Sequence, residues 1–242
     1  MLSFGVSLKM YFSHARTLAW SGDVAALASH EAIAGGHAEL FVLPSFPSIP
    51  AVTDVFAGTP VRVGAQDLCA DDTGAFTGEV GGPLLRELGC THVEVGHAER
   101  RRLYGEDDAL VARKTAAALR NELVPVLCVG EPERVPADQA AAHCVAEVES
   151  ALGSATGPVV VAYEPHWAIG AAEPAPEEHI AHVCGTLKKR LGVRVIYGGS
   201  AGPGLLTRLG TSVDGLFLGR FAHDPVAVGE ILDEALELAK GS

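Results

Sequence analysis

The chain has 242 residues, 48% of them hydrophobic and 20% charged, which is long for one ordinary domain and normal for a single closed α/β barrel. No apolar run approaches the roughly eighteen residues of a membrane span, and a formal net charge of −12, with Arg100–Arg102 as the densest basic run, argues against nucleic acid or anionic lipid as a partner. Five cysteines without a CxxC pair give neither a disulfide framework nor a zinc signature, so a reducing cytoplasmic setting, no metal and a small-molecule partner are expected.

The opening MLSFGVSLKMYF lacks the basic flank and small-residue cleavage site of a secretory signal and reads as a first strand. Short apolar runs then recur at 4–9, 39–43, 61–65, 92–95, 124–128, 159–164, 194–197 and 214–218, each predicted to be a strand. Segments of helical composition separate them, among them DDALVARKTAAALRNE at 107–122, DQAAAHCVAEVESAL and PEEHIAHVCGTLKKRL. Continuous apolar strands alternating with helices imply a parallel sheet covered on both faces. Eight βα units in this length match one closed (β/α)8 barrel over residues 1–242 better than an open sheet.

Barrel sites are built at the C-terminal ends of the strands. Lys9 closes the first predicted strand, Gln66 and Asp67 follow the third, His97 the fourth, Glu164 closes the sixth, and Gly198, Gly199 and Ser200 follow the seventh. Each alone has a plain structural reading: a solvated strand end, a satisfied core histidine, a helix-capping carboxylate, a glycine turn. Together they place a lysine, a histidine and a carboxylate on one rim.

The chain resembles the triosephosphate isomerase family from Leu8 to about Pro225. The likeness rests on LKM (8–10), TGAFTGE (73–79), VGHAERR (95–101), VLCVGE (126–131), AYEPHWAIG (162–170), YGGS (197–200) and VDGLFLG (213–219). It implies a TIM barrel, no cofactor, and a small phosphorylated sugar as substrate. Glu164 becomes the base that moves a proton between the carbons of a carbonyl and its neighbour through an enediol, and His97 a neutral electrophile. These are roles for which the family is a standard example of pKa tuning. Lys9 becomes the charge that stabilises the enediolate, Glu99 its neighbour or else a partner of Arg100 or Arg101, and Gly170, Ser200 and Gly219 the phosphate donors. AIGAAEPAP after Glu164 is expected to be a lid, with Trp167 and Ile169 shielding the base and Tyr197 and Ser200 holding the closed form. TGAFTGE resembles the loop by which family members dock into a second copy, which implies a homodimer with Thr77 reaching toward the partner.

Four positions depart from the family pattern. Ser7-Leu8 stands where Asn-Trp is usual, Ala98 replaces Ser, the lid tip reads Ala171-Ala172-Glu173-Pro174, and Arg220 occupies the second position of a Gly-Gly pair. Arg220 points outward, contacts phosphate or reshapes the pocket for another substrate. The principal expectation is interconversion of glyceraldehyde 3-phosphate and dihydroxyacetone phosphate. A tetrulose phosphate such as an erythrulose phosphate is the alternative, since losing the Asn and Trp bulk beside Lys9 while altering the phosphate loop leaves room for a longer chain. A non-catalytic sugar-phosphate sensor, and more weakly a nucleotide-dependent oxidoreductase suggested by GGSAGPG, come from other classes. His179, His182 and Cys184 have metal-compatible spacing inside a predicted helix, where core and solvent roles are expected instead.

Overall fold

The computed structural model describes residues 1–241. Strands β1 (Leu2–Ser7), β2 (Ala38–Leu43), β3 (Arg62–Ala65), β4 (His92–Val95), β5 (Val124–Val129), β6 (Val160–Tyr163), β7 (Arg194–Tyr197) and β8 (Gly215–Leu218) pair in parallel and in sequence order. β8 returns to β1 through pairs such as Val6 with Leu218, closing the barrel. The helices are α1 (His14–Ala26), α2 (Glu31–Ala34), α3 (Ile49–Val55), α4 (Gly82–Glu87), α5 (Ala98–Tyr104), α6 (Asp108–Arg120), α7 (Ala137–Leu152), α8 (Glu177–Leu191), α9 (Leu205–Leu209) and α10 (Pro225–Lys240).

Alternation of side chains along each strand divides the apolar residues into two layers. Leu127, Val129, Val161 and Val195 face outward into the large core shared with the helices. Phe41, Leu43, Val126, Cys128, Ala162, Ile196 and Phe217 fill the barrel interior. Its floor is tight: a Cβ at Gly5 would overlap the rings of Phe41 and Phe217, so only glycine fits there. The His92 ring stacks on Phe41 with centroids 4.3 Å apart, and burial pushes its pKa down to about 4, so it packs as a neutral ring.

Sequence signals account for the helix ends. Asp107 caps α6 by accepting from the Leu110 amide. Gly192 takes the left-handed conformation that stops α8, with its N–H returning to Lys188. Several predicted strand bounds shift by one or two residues, and two of the shifts bear on the site. β1 stops at Ser7, so Lys9 lies in the turn beyond it with φ +48°, and Glu164 follows the last residue of β6.

Candidate active site

A cavity of about 710 Å³ opens at the C-terminal mouth of the barrel. Lys9, His97, Glu164, Gly170, Ser200 and Arg220 line it, together with Ser7, Glu99 and Gly219. The structure therefore brings together the predicted catalytic and substrate-binding positions. Tyr197 sits buried beneath the lid, while Thr77 lies apart on the exposed 73–79 loop.

His97 is the N-cap residue of α5, and its Nδ1 accepts the Glu99 amide at 3.1 Å. A ring whose Nδ1 accepts carries its proton on Nε2 when neutral. Burial first, and then the Lys9 charge, push the His97 pKa down to about 3, so the ring stays neutral at ordinary pH. Its Nε2 faces Glu164 Oε2 at 3.3 Å. Glu164 is only 6% exposed, and Oε2 has no hydrogen-bond partner. Burial drives its carboxyl up to about 8 against the opposing pull of Lys9, with the Glu94 and Glu99 charges adding to the rise. Glycine at 198 is required here, because a Cβ would overlap the Glu164 carboxylate.

Lys9 Nζ donates to Glu99 Oε1 at 2.8 Å. Arg100 pairs instead with Asp67 and Glu106, and Arg101 with Asp108 and Glu147, so of the two expected settings for Glu99 it is the lysine that holds. The left-handed backbone of Lys9 is an unusual state for a non-glycine residue. Its carbonyl is fixed by donors from two neighbouring strand ends, Ser45 Oγ at 3.2 Å and Gln66 Nε2 at 3.0 Å.

The lid after Glu164 is fastened at four places. Ser200 Oγ donates to the carbonyls of Ala168 and Ala171, the Ala175 amide donates to Tyr197 Oη, and Arg220 Nη2 donates to the Gly170 carbonyl. Trp167 Nε1 donates to Glu131 Oε1 at 2.9 Å. Trp167 thus bonds to Glu131 and does not line the cavity beside Glu164 that it was expected to cover, and Ile169 alone of the pair does. Ser200, at φ +53°, is a second strained residue at the mouth.

The family model for triosephosphate isomerase matches residues 3–235. The chain belongs to the triosephosphate isomerase family. It is 55% identical to an L-erythrulose-1-phosphate isomerase of Pectobacterium atrosepticum over 98% of this chain and 97% of that protein. A triosephosphate isomerase of Moorella thermoacetica is 40% identical over 81% of this chain and 85% of its own length. The crystal structure of triosephosphate isomerase from Bartonella henselae shares the fold, with a TM-score of 0.82 over 99% of both chains at 24% identity. These relatives are isomerases, and the first two differ in the sugar phosphate for which they are named.

Several polar residues around this triosephosphate isomerase family site were not singled out in the sequence. Glu94, on β4, is 4% exposed and accepts from Ser7 Oγ at 2.8 Å. Glu131, at the end of β5, is 1% exposed and gathers Tyr163 Oη, Trp167 Nε1 and the His179 ring. Lys114, inside α6, donates to both oxygens of Asp67 and to Glu106, all three side chains being buried. Strand-end position was a usable signal for Glu131. His182 lies 2.7 Å from Asp138 and Cys184 is in the core, so the His179, His182 and Cys184 side chains go to separate surroundings.

Proposed function

We propose that this protein moves the carbonyl of a four-carbon ketose phosphate, of the erythrulose 1-phosphate kind, to the neighbouring carbon through an enediol. The observation that carries the chemistry is Glu164 Oε2, buried and unpartnered, facing Nε2 of a neutral His97. A carboxylate short of solvation is a strong base, and a neutral imidazole N–H is matched to an enediolate oxygen. The whole-length likeness to a relative named for L-erythrulose 1-phosphate favours four carbons over three.

Chemical balance fixes the direction of transfer. In a ketose 1-phosphate the carbonyl is at C2 and C1 carries the ester in place of a free hydroxyl, so the carbonyl moves to C3. Glu164 takes the proton from C3, while His97 Nε2–H donates to the C2 oxygen and Lys9 balances the negative charge of the enediolate. The proton returns to C2, the C3 hydroxyl gives up its own proton, and the C3 carbonyl forms. No atom is gained or lost, and the product is a ketose phosphorylated at the far end.

Phosphate is assigned to the backbone of Gly170, Ser200 and Gly219, with Arg220 beside them. The lid keeps water from an enediol that can otherwise expel its phosphate. A homodimer through the 73–79 loop belongs to the same proposal, supported by exposed Phe76, Met10, Leu103 and Tyr104, with Thr77 reaching into the partner. All five cysteines are free and buried, which fits a reducing compartment.

Steady-state isomerisation of L-erythrulose 1-phosphate and of both triose phosphates, with wild type and Glu164→Ala, tests this reading. Wild type is expected to show its highest kcat/KM with the four-carbon substrate, and the variant to lose turnover by roughly a hundred- to ten-thousand-fold. Preference for triose phosphate would restore the three-carbon reading. Absence of any turnover, or full activity in the variant, would overturn the isomerase mechanism for these residues.

A further inference from the structure

Glu94 is a carboxylate inside the barrel. Its strand register pairs it with Val126, a member of the interior layer, and its side chain points the same way. Oε2 accepts from Ser7 Oγ at 2.8 Å, while Oε1 lies 3.9 Å from His97 Nε2 and 4.0 Å from Cys128 Sγ. Burial pushes the carboxyl up to about 7, and the Ser7 hydrogen bond and the Lys9 charge act against that rise. Burying a carboxylate without a directly bound lysine or arginine is costly, and an aliphatic side chain would fill this place without that cost.

Ser7 carries the consequence of Glu94 into the cavity it lines. Its single hydroxyl proton is committed to Glu94, so what remains for a ligand is the oxygen lone pairs. Ser7 therefore meets the substrate as an acceptor.

The direction of the substrate follows from the ring of strands. Glycines and Ser200 after β7 and β8, with the lid after β6, form one side of the mouth, and β4 stands opposite β8 in the closed order. With phosphate on the first side and the reacting carbons over Lys9, His97 and Glu164, the chain end remote from phosphate runs toward β4, where Glu94 holds the hydroxyl that Ser7 extends across the barrel from β1. A triose phosphate ends at its reacting carbon. A four-carbon ketose phosphate adds a hydroxymethyl group there.

We propose that Ser7 and Glu94 form a subsite for this hydroxymethyl group, Ser7 accepting its O–H and Glu94 acting as the positioning residue that fixes Ser7 as an acceptor. The subsite rests on the four-carbon reading above and explains how that substrate is told from a shorter one.

The test compares kcat/KM for L-erythrulose 1-phosphate and its 4-deoxy analogue at pH 8, in wild type, Glu94→Leu, Glu94→Gln and Ser7→Ala. Wild type is expected to prefer the hydroxylated substrate by about ten- to a hundredfold, the cost of leaving a site's polar group unpaired. In Glu94→Leu and Ser7→Ala the preference should collapse to within about threefold, with the loss in KM. Glu94→Gln keeps an acceptor oxygen for Ser7 and should retain most of the preference. Circular dichroism checks folding, and if Glu94→Leu fails to fold, Ser7→Ala and Glu94→Gln decide the matter. Equal loss on both substrates, or an undiminished preference in Ser7→Ala, would overturn the subsite. Wild type that turns over the four-carbon substrate without preferring it to the deoxy analogue leaves the proposed function standing and removes the subsite. Wild type that turns over only triose phosphate removes both.

Discussion

Arg220 Nη2 lies 3.0 Å from the carbonyl oxygen of Gly170, tying the segment after β8 to the lid after β6. Gly170 has φ +72°, so its carbonyl is aimed by a conformation that glycine adopts without strain. Of the settings open to Arg220 in the sequence, the structure gives a place on the cavity wall with the guanidinium engaged by the lid. Removing the latch in Arg220→Ala is predicted to favour the open lid and lower kcat/KM by about tenfold, the value of one charge-assisted hydrogen bond. Stopped-flow fluorescence of Trp167 during substrate binding checks this: the variant should close more weakly, and an unchanged closing amplitude and KM would contradict it.

The raised pKa of Glu164 makes two opposite pH trends. In the proposed role of base it acts when ionised, so kcat/KM should climb with pH and level off above about 8, with no second limb from His97, whose pKa is about 3. For stability the sign is reversed. The folded protein holds a proton near pH 8 that the unfolded chain, at the ordinary value of 4.5, has already released. This contribution to stability is whole below 4.5 and is lost as pH rises through 8. Glu164→Gln should therefore melt a few °C above wild type at pH 8.5 and close to it at pH 5, a gap read by thermal denaturation at both pH values.

Gln66 Nε2 donates to the carbonyls of Lys9 and Leu43 and so holds the strained turn that presents the lysine. Gln66→Ala should cost about 1–3 kcal/mol in denaturant unfolding. Relaxation of Lys9 should also lower kcat more than it raises KM. Loss of stability with unchanged kcat would show that the lysine holds its position by other contacts.

Lys114 is 4% exposed between Asp67 and Glu106. Replacing it with methionine removes the buried cation and leaves Asp67 and Glu106 to share the partly exposed Arg100, and the expected loss is about 3–5 kcal/mol. Urea unfolding of Lys114→Met measures it, and a loss below about 1 kcal/mol would mean that Arg100 alone suffices for both carboxylates.

The strands were legible because both of their faces are buried, which makes most of them short, largely apolar runs. The site was legible where a polar residue stood at the end of such a run, as Lys9, His97 and Glu164 do. Glu94 was not. In His92-Val93-Glu94-Val95 the alternation reads as a strand with one wet face, and the partner that identifies its inner setting, Ser7, is 87 positions away. Lys114 was hidden similarly, since a lysine within a helix ordinarily reads as solvent-facing. Trp167 followed Glu131, a contact between two strand ends that spacing does not reveal.

In the mechanism proposed above, Glu164 moves a proton between C3 and C2 of a four-carbon ketose phosphate. Nuclear magnetic resonance of L-erythrulose 1-phosphate incubated with the protein in deuterium oxide tests it most directly. Wild type should move the carbonyl from C2 to C3 with solvent deuterium appearing at C2, and Glu164→Gln should lose this activity. An unchanged spectrum with wild type, or the same migration in Glu164→Gln, would contradict it.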